Sequence, residues 1–309
     1  MGTVLRPGEI FAGYRIVRLL GRGGMGEVYQ AKDPNLPRQV ALKVLNARAS
    51  KDKGLRERFW REANLVAQLV HPNIVPIHAR GQDAGRMWIA MAYIEGTDLS
   101  ATLRRGAIEP ERAVRITLEI ADALDFAHDT GVLHRDVKPA NIILATRPRE
   151  RALLTDFGIA KSLAGIRNSA DTEQVLATLE YVAPERFLSP ETVGRRVDVY
   201  SLGCMLYCML TGELPYPVDG VPALVLAHMR SPIPKPTDRR HRIPRAFDDV
   251  IRTALAKNPR DRIATCGELA RAAADALAGA PVLATAGIPT AAALRANLIA
   301  AATIPLRPR

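Results

Sequence analysis

The chain is poor in the residues that staple or anchor proteins outside a reducing compartment. Among 309 residues it holds three cysteines, Cys204, Cys208 and Cys266, an odd number without metal-ligand spacing. That count argues against both a disulfide framework and a zinc site. Cys204 and Cys208 fall on one helix face within an apolar run, as two packed thiols would. A bilayer-spanning helix needs about 20 apolar residues, and the most apolar stretch, Val199 to Leu210, falls short of this and reads as a buried core helix. Met1 to Arg6 lacks the apolar run of a secretory signal, and Arg6 stands where a myristoylation motif requires Ser or Thr. The expectation is a cytoplasmic protein with no transmembrane segment and no N-terminal acyl chain.

What is present suits a large globular fold: 48% hydrophobic and 24% charged residues can enclose a sizeable core. The formal charge of +11 is spread over short clusters such as Arg104-Arg105, Arg195-Arg196 and Arg239-Arg240-His241-Arg242. This is the pattern of a solvated surface rather than a nucleic-acid footprint, so no nucleic-acid partner is expected. Part of the charge is left to serve anionic ligands: nucleotide, phosphorylated side chains or acidic substrates.

Residues 1–13 read as a leader. From Tyr14 to Ile94 short β-branched runs alternate with Gly, Pro and Asp around one helical stretch, Leu55 to Val70, which predicts a small sheet carrying one helix. From Glu95 to Ala280 longer helical patterns dominate, including Pro110 to His128 and Val197 to Leu210, and predict a larger helical lobe. Residues 281–309 form an Ala- and Pro-rich tail, read as a weakly structured extension or the start of a linker.

Leu20-Gly21-Arg22-Gly23-Gly24-Met25-Gly26-Glu27-Val28 carries G-x-G-x-x-G-x-V, in which Gly21, Gly23 and Gly26 let the backbone fold closely over phosphates. Because Glu27 to Ala31 continues as a strand rather than opening a helix, a hairpin lid fits better than a dinucleotide fingerprint. In Val40-Ala41-Leu42-Lys43-Val44-Leu45, alternation puts Ala41 and Lys43 on one face, where a small residue admits adenine and the lysine reaches phosphate. Such a lysine calls for a carboxylate. Phe59, Val66 and Leu69 place Glu62 on the inward stripe of the helix, whereas Glu57 shares a face with Arg61, Asn64 and Gln68, so Lys43 is paired with Glu62.

His134 to Asn141 gathers Asp136, Lys138 and Asn141 in one loop containing Pro139, and Asp156-Phe157-Gly158 follows a short apolar strand. Asp136 can accept a hydroxyl proton, Lys138 can neutralise a moving phosphoryl group, and Asn141 and Asp156 supply oxygen ligands for Mg²⁺. Taken in order with Ala183-Pro184-Glu185, these motifs resemble the protein kinase family over Tyr14 to Ala280, in the style of the bacterial serine/threonine kinases.

The resemblance implies an α+β, bilobal protein kinase fold with ATP in the cleft, Mg²⁺ or alternatively Mn²⁺ as the metal, and Ser/Thr acceptors, marked by Lys138-Pro139. Partners are then protein substrates and the enzyme itself by autophosphorylation, with a transient homodimer compatible with that. It makes Met91 the gatekeeper, gives the adenine edge to the Ala92 carbonyl and Ile94 amide, and caps the ring with Val28 and Ala41 above and Ile143 below. It also implies that Glu185 pairs with Arg262, that Asp198 braces the catalytic loop, and that His134, Phe157, Val66 and Ile77 stack as a spine.

Between Asp156 and Glu185 lie Ser162, Ser169, Thr172 and Thr178. A phosphate there could pair with Arg135; Thr172 is the preferred site, Ser169 a further candidate, and Thr178 stands where family members hold Asp136 and Lys138. Ala177 and Leu179 replace the usual Gly and Pro, and Ala92 a usual Glu, with consequences expected for substrate docking from the first two. The competing readings are a pseudokinase scaffold and a small-molecule phosphotransferase. The intact Lys43, Asp136, Asn141 and Asp156 oppose the first, and the Ala183-Pro184-Glu185 segment the second.

Overall fold

The computed structural model describes residues 4–24, 26–158, 172–188 and 194–279. In chain order its elements are β1 (Ile10–Phe11), β2 (Tyr14–Gly23), β3 (Gly26–Lys32), β4 (Gln39–Leu45), α1 (Ala47–Lys51), α2 (Lys53–Ala67), β5 (Ile77–Asp83) and β6 (Arg86–Ala92). After the chain leaves this lobe come β7 (Gly96–Asp98), α3 (Leu99–Leu103), α4 (Pro110–Asp129), β8 (Ile142–Ala145) and β9 (Arg151–Leu154). The remainder is α5 (Thr172–Leu179), α6 (Glu185–Leu188), α7 (Arg196–Thr211), α8 (Val221–Arg230), α9 (Pro236–Arg239), α10 (Ala246–Ala254) and α11 (Cys266–Ala278).

The first lobe is a six-stranded antiparallel sheet in the order β1-β2-β3-β4-β6-β5. Alternation along β4 sends Val40, Leu42 and Val44 into one core with Tyr14, Ile16 and Tyr29, and leaves Ala41 and Lys43 half-buried on the opposite face. On that face Phe59 and Ala63 of α2 pack with Ile89 and Met91. Residues read as a leader belong to this lobe: Phe11 lies in β1, and the Leu5 amide donates to the Tyr29 hydroxyl at 3.1 Å.

The helix expected over Leu55 to Val70 runs instead from Lys53 to Ala67. Asp52 caps its start, accepting from the Leu55 amide at 2.8 Å, and His71-Pro72 disfavours helical geometry beyond its end.

In the second lobe α7 is buried on every side, from Val197 to Leu210, and α4 and α11 pack around it. Among the described residues no helix is long and apolar enough to cross a membrane. Gly212 ends α7 in the left-handed region at φ 80°, with its amide donating to the Cys208 carbonyl at 2.8 Å. Cys204, Cys208 and Cys266 are free, buried thiols, and burial pushes Cys208 up to about 12. A small β-rich lobe is thus followed by a larger, mostly helical one, the α+β bilobal arrangement that the sequence predicts.

His228 shows how burial couples this lobe to pH. Its Nδ1 lies 2.8 Å from the Tyr200 hydroxyl, and Lys257 donates to its carbonyl at 2.8 Å. Burial first, and the Lys257 charge second, lower the imidazole from 6.5 to about 3. Between those values the unfolded chain binds a proton that the folded one refuses, so the contribution is complete above 6.5 and is lost as pH falls towards 3. His134, also depressed by burial, acts in the same direction. The expected slope is about 1.4 kcal/mol per pH unit for His228; urea midpoints at about pH 7 and about pH 5 should converge in His228→Asn relative to the native chain.

Candidate active site

The loop after α4 is held by one buried carboxylate. Asp198, in the first turn of α7, accepts from the His134 amide at 2.9 Å, the Arg135 amide at 2.8 Å and His128 Nε2 at 2.8 Å. Burial alone would raise this carboxyl, but the hydrogen bonds from His128 and from the His134 amide hold it below the usual carboxylate range. The anchor keeps Arg135 in the left-handed region at φ 61°, a conformation costing about 1–3 kcal/mol for such a residue. Arg186 of α6 donates to the Arg135 carbonyl, fixing the next peptide of the loop as well.

With its backbone fixed, the loop presents its functional groups together. Asn141 Nδ2 donates to both the carbonyl and Oδ2 of Asp136, each at 2.7 Å. Lys138 Nζ lies 3.5 Å from Asp136 Oδ1 and 3.4 Å from Thr178 Oγ1. The geometry therefore gathers Asp136, Lys138, Asn141 and Thr178.

Asp156 follows β9 at φ 56°, and its Oδ1 lies 2.6 Å from Lys43 Nζ. The expectation paired Lys43 with Glu62; the contact present here is with Asp156. Glu62 is half-buried on α2 and Glu57 exposed, as their stripe predicts, and the Lys43 ammonium meets the Asp156 carboxylate, brought to it by the left-handed turn. Phe157 turns inward against His134, ring centroids 4.7 Å apart, and shares a core with Val66 and Ile77. Gly158 passes so near the His134 carbonyl that a Cβ would lie 2.9 Å from its oxygen.

The seam between lobes is apolar. Ala41, Met91, Ala92, Ile94 and Ile143 belong to one cluster, with Met91 opposite Ala41 in register. The Ala92 amide donates to the Pro76 carbonyl at 2.9 Å. Val28 lies opposite both Gly21 and Lys43, while Leu20, Gly21 and Gly23 are exposed along β2. Gly26 is the lid glycine with a steric reason: a Cβ there would run into the Val44 carbonyl.

Of the regulatory candidates, Ser162 and Ser169 lie outside the described residues, and Thr172 opens α5. Ala177 and Leu179 favour helix where Gly and Pro would break it, and α5 runs through both. Leu179 is buried with Val182, Tyr216, Leu224 and Ala227. Arg262 grips Glu185 in two bonds of 2.7 and 3.1 Å.

Two members of the site escaped the sequence reading. Arg186 carries no local motif, and its role arises from packing. His128 left a faint signal, since it falls on the buried stripe of α4 with Ala121 and Leu124.

A family model described as "Protein kinase domain" matches residues 14–273. Serine/threonine-protein kinase PknJ of Mycobacterium tuberculosis is 49% identical over 283 residues, covering 90% of this chain and 48% of the relative. Serine/threonine-protein kinase PknH of the same organism is 46% identical over 273 residues, covering 88% and 43%. The chain thus spans less than half the length of either relative. The crystal structure of the M. tuberculosis PknI kinase domain superposes with a TM-score of 0.72 at 34% identity, covering 88% of this chain and 100% of that one.

Asp198→Asn keeps the side-chain shape but turns an amide N–H towards groups that themselves donate. The expected cost is about 1–3 kcal/mol, read as a lower chemical-denaturation midpoint.

Proposed function

Because the chain belongs to the protein kinase family, we propose that it transfers the γ-phosphoryl group of ATP to Ser/Thr hydroxyls of proteins, its own included. The observation that carries this is the Asp136–Asn141–Lys138 arrangement. Asn141 orients the Asp136 carboxylate through Oδ2, so that Asp136 aligns the acceptor hydroxyl and takes its proton as the oxygen attacks phosphorus. Lys138, close to both Asp136 and Thr178, offsets charge on the moving group. Gly21, Gly23 and Gly26 with Leu20 and Val28 cover the phosphates, while Ala41, Met91, Ala92, Ile94 and Ile143 receive the adenine. Lys43 holds phosphate oxygens, with Glu62 as its support from α2 once ATP draws it from Asp156.

The donor set fits a hard divalent cation: the Asp156 carboxylate and the Asn141 carbonyl, whose amide nitrogen is already committed to Asp136. We assign Mg²⁺ to these two residues, with Mn²⁺ as the alternate. The ion, when bound, neutralises phosphate charge.

The fuller reading places the domain in the cytoplasm, in keeping with its three free, buried thiols. Nucleic acid has no part in it, since basic residues such as Arg195, Arg239 and Arg240 pair with acidic neighbours. A transient homodimer lets one copy present Thr172 to another. Exposed Arg135 is the proposed partner of phosphate on Thr172, or on Ser169.

Incubation with Mg-ATP should add phosphate to the chain or to a basic protein substrate, read by intact mass. Asp136→Asn should slow this about 100- to 10,000-fold, while nucleotide binding persists. No mass gain in the native chain would favour a scaffold instead. Thr172→Ala should lower activity and remove a mapped phosphopeptide; full activity with Thr172 unmodified in the active enzyme would sink the regulatory role.

A further inference from the structure

Three side chains that touch none of the reacting groups converge behind the catalytic loop. Asp125 and His128 lie one turn apart on α4, and Cys266 opens α11 after the Thr265 cap. A carboxylate oxygen, an imidazole nitrogen and the thiol sulfur of this trio all lie within 4.8 Å of one another. His128 and Cys266 are buried, and Asp125 stands half-buried at the mouth of the cluster.

His128 supplies the second observation. Its Nε2 lies 2.8 Å from the Asp198 carboxylate, which only accepts, so Nε2 donates there and Nδ1 is the ring nitrogen left to face the cluster. That Nδ1 is buried without a hydrogen-bond partner, on a side chain 1% exposed, and faces Asp125 Oδ1 at 3.8 Å. A carboxylate gripping one ring nitrogen while the other faces a ligand-lined gap is how proteins orient metal-binding imidazoles.

Asp125 is equally well placed. Its oxygens accept from the Cys266 amide at 3.0 Å and the Gly267 amide at 2.8 Å, which fixes the carboxylate. Each oxygen has a second lone pair for a cation. One carboxylate, one imidazole and one thiol suit a borderline-soft ion, whereas Mg²⁺ and Ca²⁺ require more oxygen.

We propose that Asp125, His128 and Cys266 form a Zn²⁺ site that ties α4 to α11 and, through His128 and Asp198, stiffens the catalytic loop. On binding, the Cys266 thiol gives its proton to solvent, sulfur and the two other donors coordinate the ion, and water takes the fourth position. Carboxylate and thiolate cancel the charge of the cation, which suits a buried place. No zinc motif is visible in the sequence because Cys266 stands 141 residues beyond Asp125.

The test uses the full chain freed of metal, without nucleotide and with excess Mg²⁺ to fill oxygen-ligand sites. Co²⁺ then reports as a spectroscopic stand-in for Zn²⁺. The expected result is a thiolate-to-cobalt charge-transfer band saturating at one equivalent and bleached by Zn²⁺. The band is lost in Cys266→Ala and kept in Cys204→Ala, and Zn²⁺ raises the melting temperature of the native chain but not of Cys266→Ala. Cys266→Ser replaces the alanine variant should that fail to fold. No thiolate band in the native chain, a band surviving in the Cys266 variant, or equal loss in Cys204→Ala overturns the proposal.

Discussion

One buried carboxylate organises the catalytic half of this molecule. Asp198 has no solvent to share its charge with, and it is stabilised by the donors arranged around it, two backbone amides and an imidazole. Removing an ion from water is tolerable only where such partners are fixed in advance. The dependence runs both ways. The donors hold the charge, and the charge holds Arg135 in a backbone conformation it would otherwise leave. Through that peptide the anchor sets where Asp136 and Asn141 stand.

The fold and much of the site were legible in the sequence because their signals are local. Alternation in β4 told which side of the strand carries Lys43, and the apolar stripe of α2 separated Glu62 from Glu57. The catalytic loop is compact enough that its order of residues announces its chemistry. The Glu185–Arg262 and Asp198 contacts came through resemblance, since no periodicity connects residues so far apart. What could not be read was the contact of Lys43 with Asp156, which the left-handed turn after β9 brings to it from 113 residues away. Arg186 and His128 likewise acquire their roles from packing.

The segment before Ala183 shows local propensity acting beside the catalytic loop. Ala177 and Leu179 each differ from the pattern by a residue that tolerates helix, and their neighbourhood is helical. Leu179 then completes an apolar cluster with Tyr216 and Leu224, tying this segment to α8. Thr178, one residue earlier, remains beside Lys138. Helix, apolar anchor and catalytic contact thus occupy consecutive positions, so a change in one is transmitted to the others.

The enclosure of α7 has a consequence for how variation in this domain should be interpreted. A helix with a wet side can accumulate neutral changes there, and its restricted side stands out by contrast. With no wet side between Val197 and Leu210, α7 offers no such contrast. Invariance along it would reflect volume at Leu202 and Leu206 but charge at Asp198, two different kinds of selection with the same outward record.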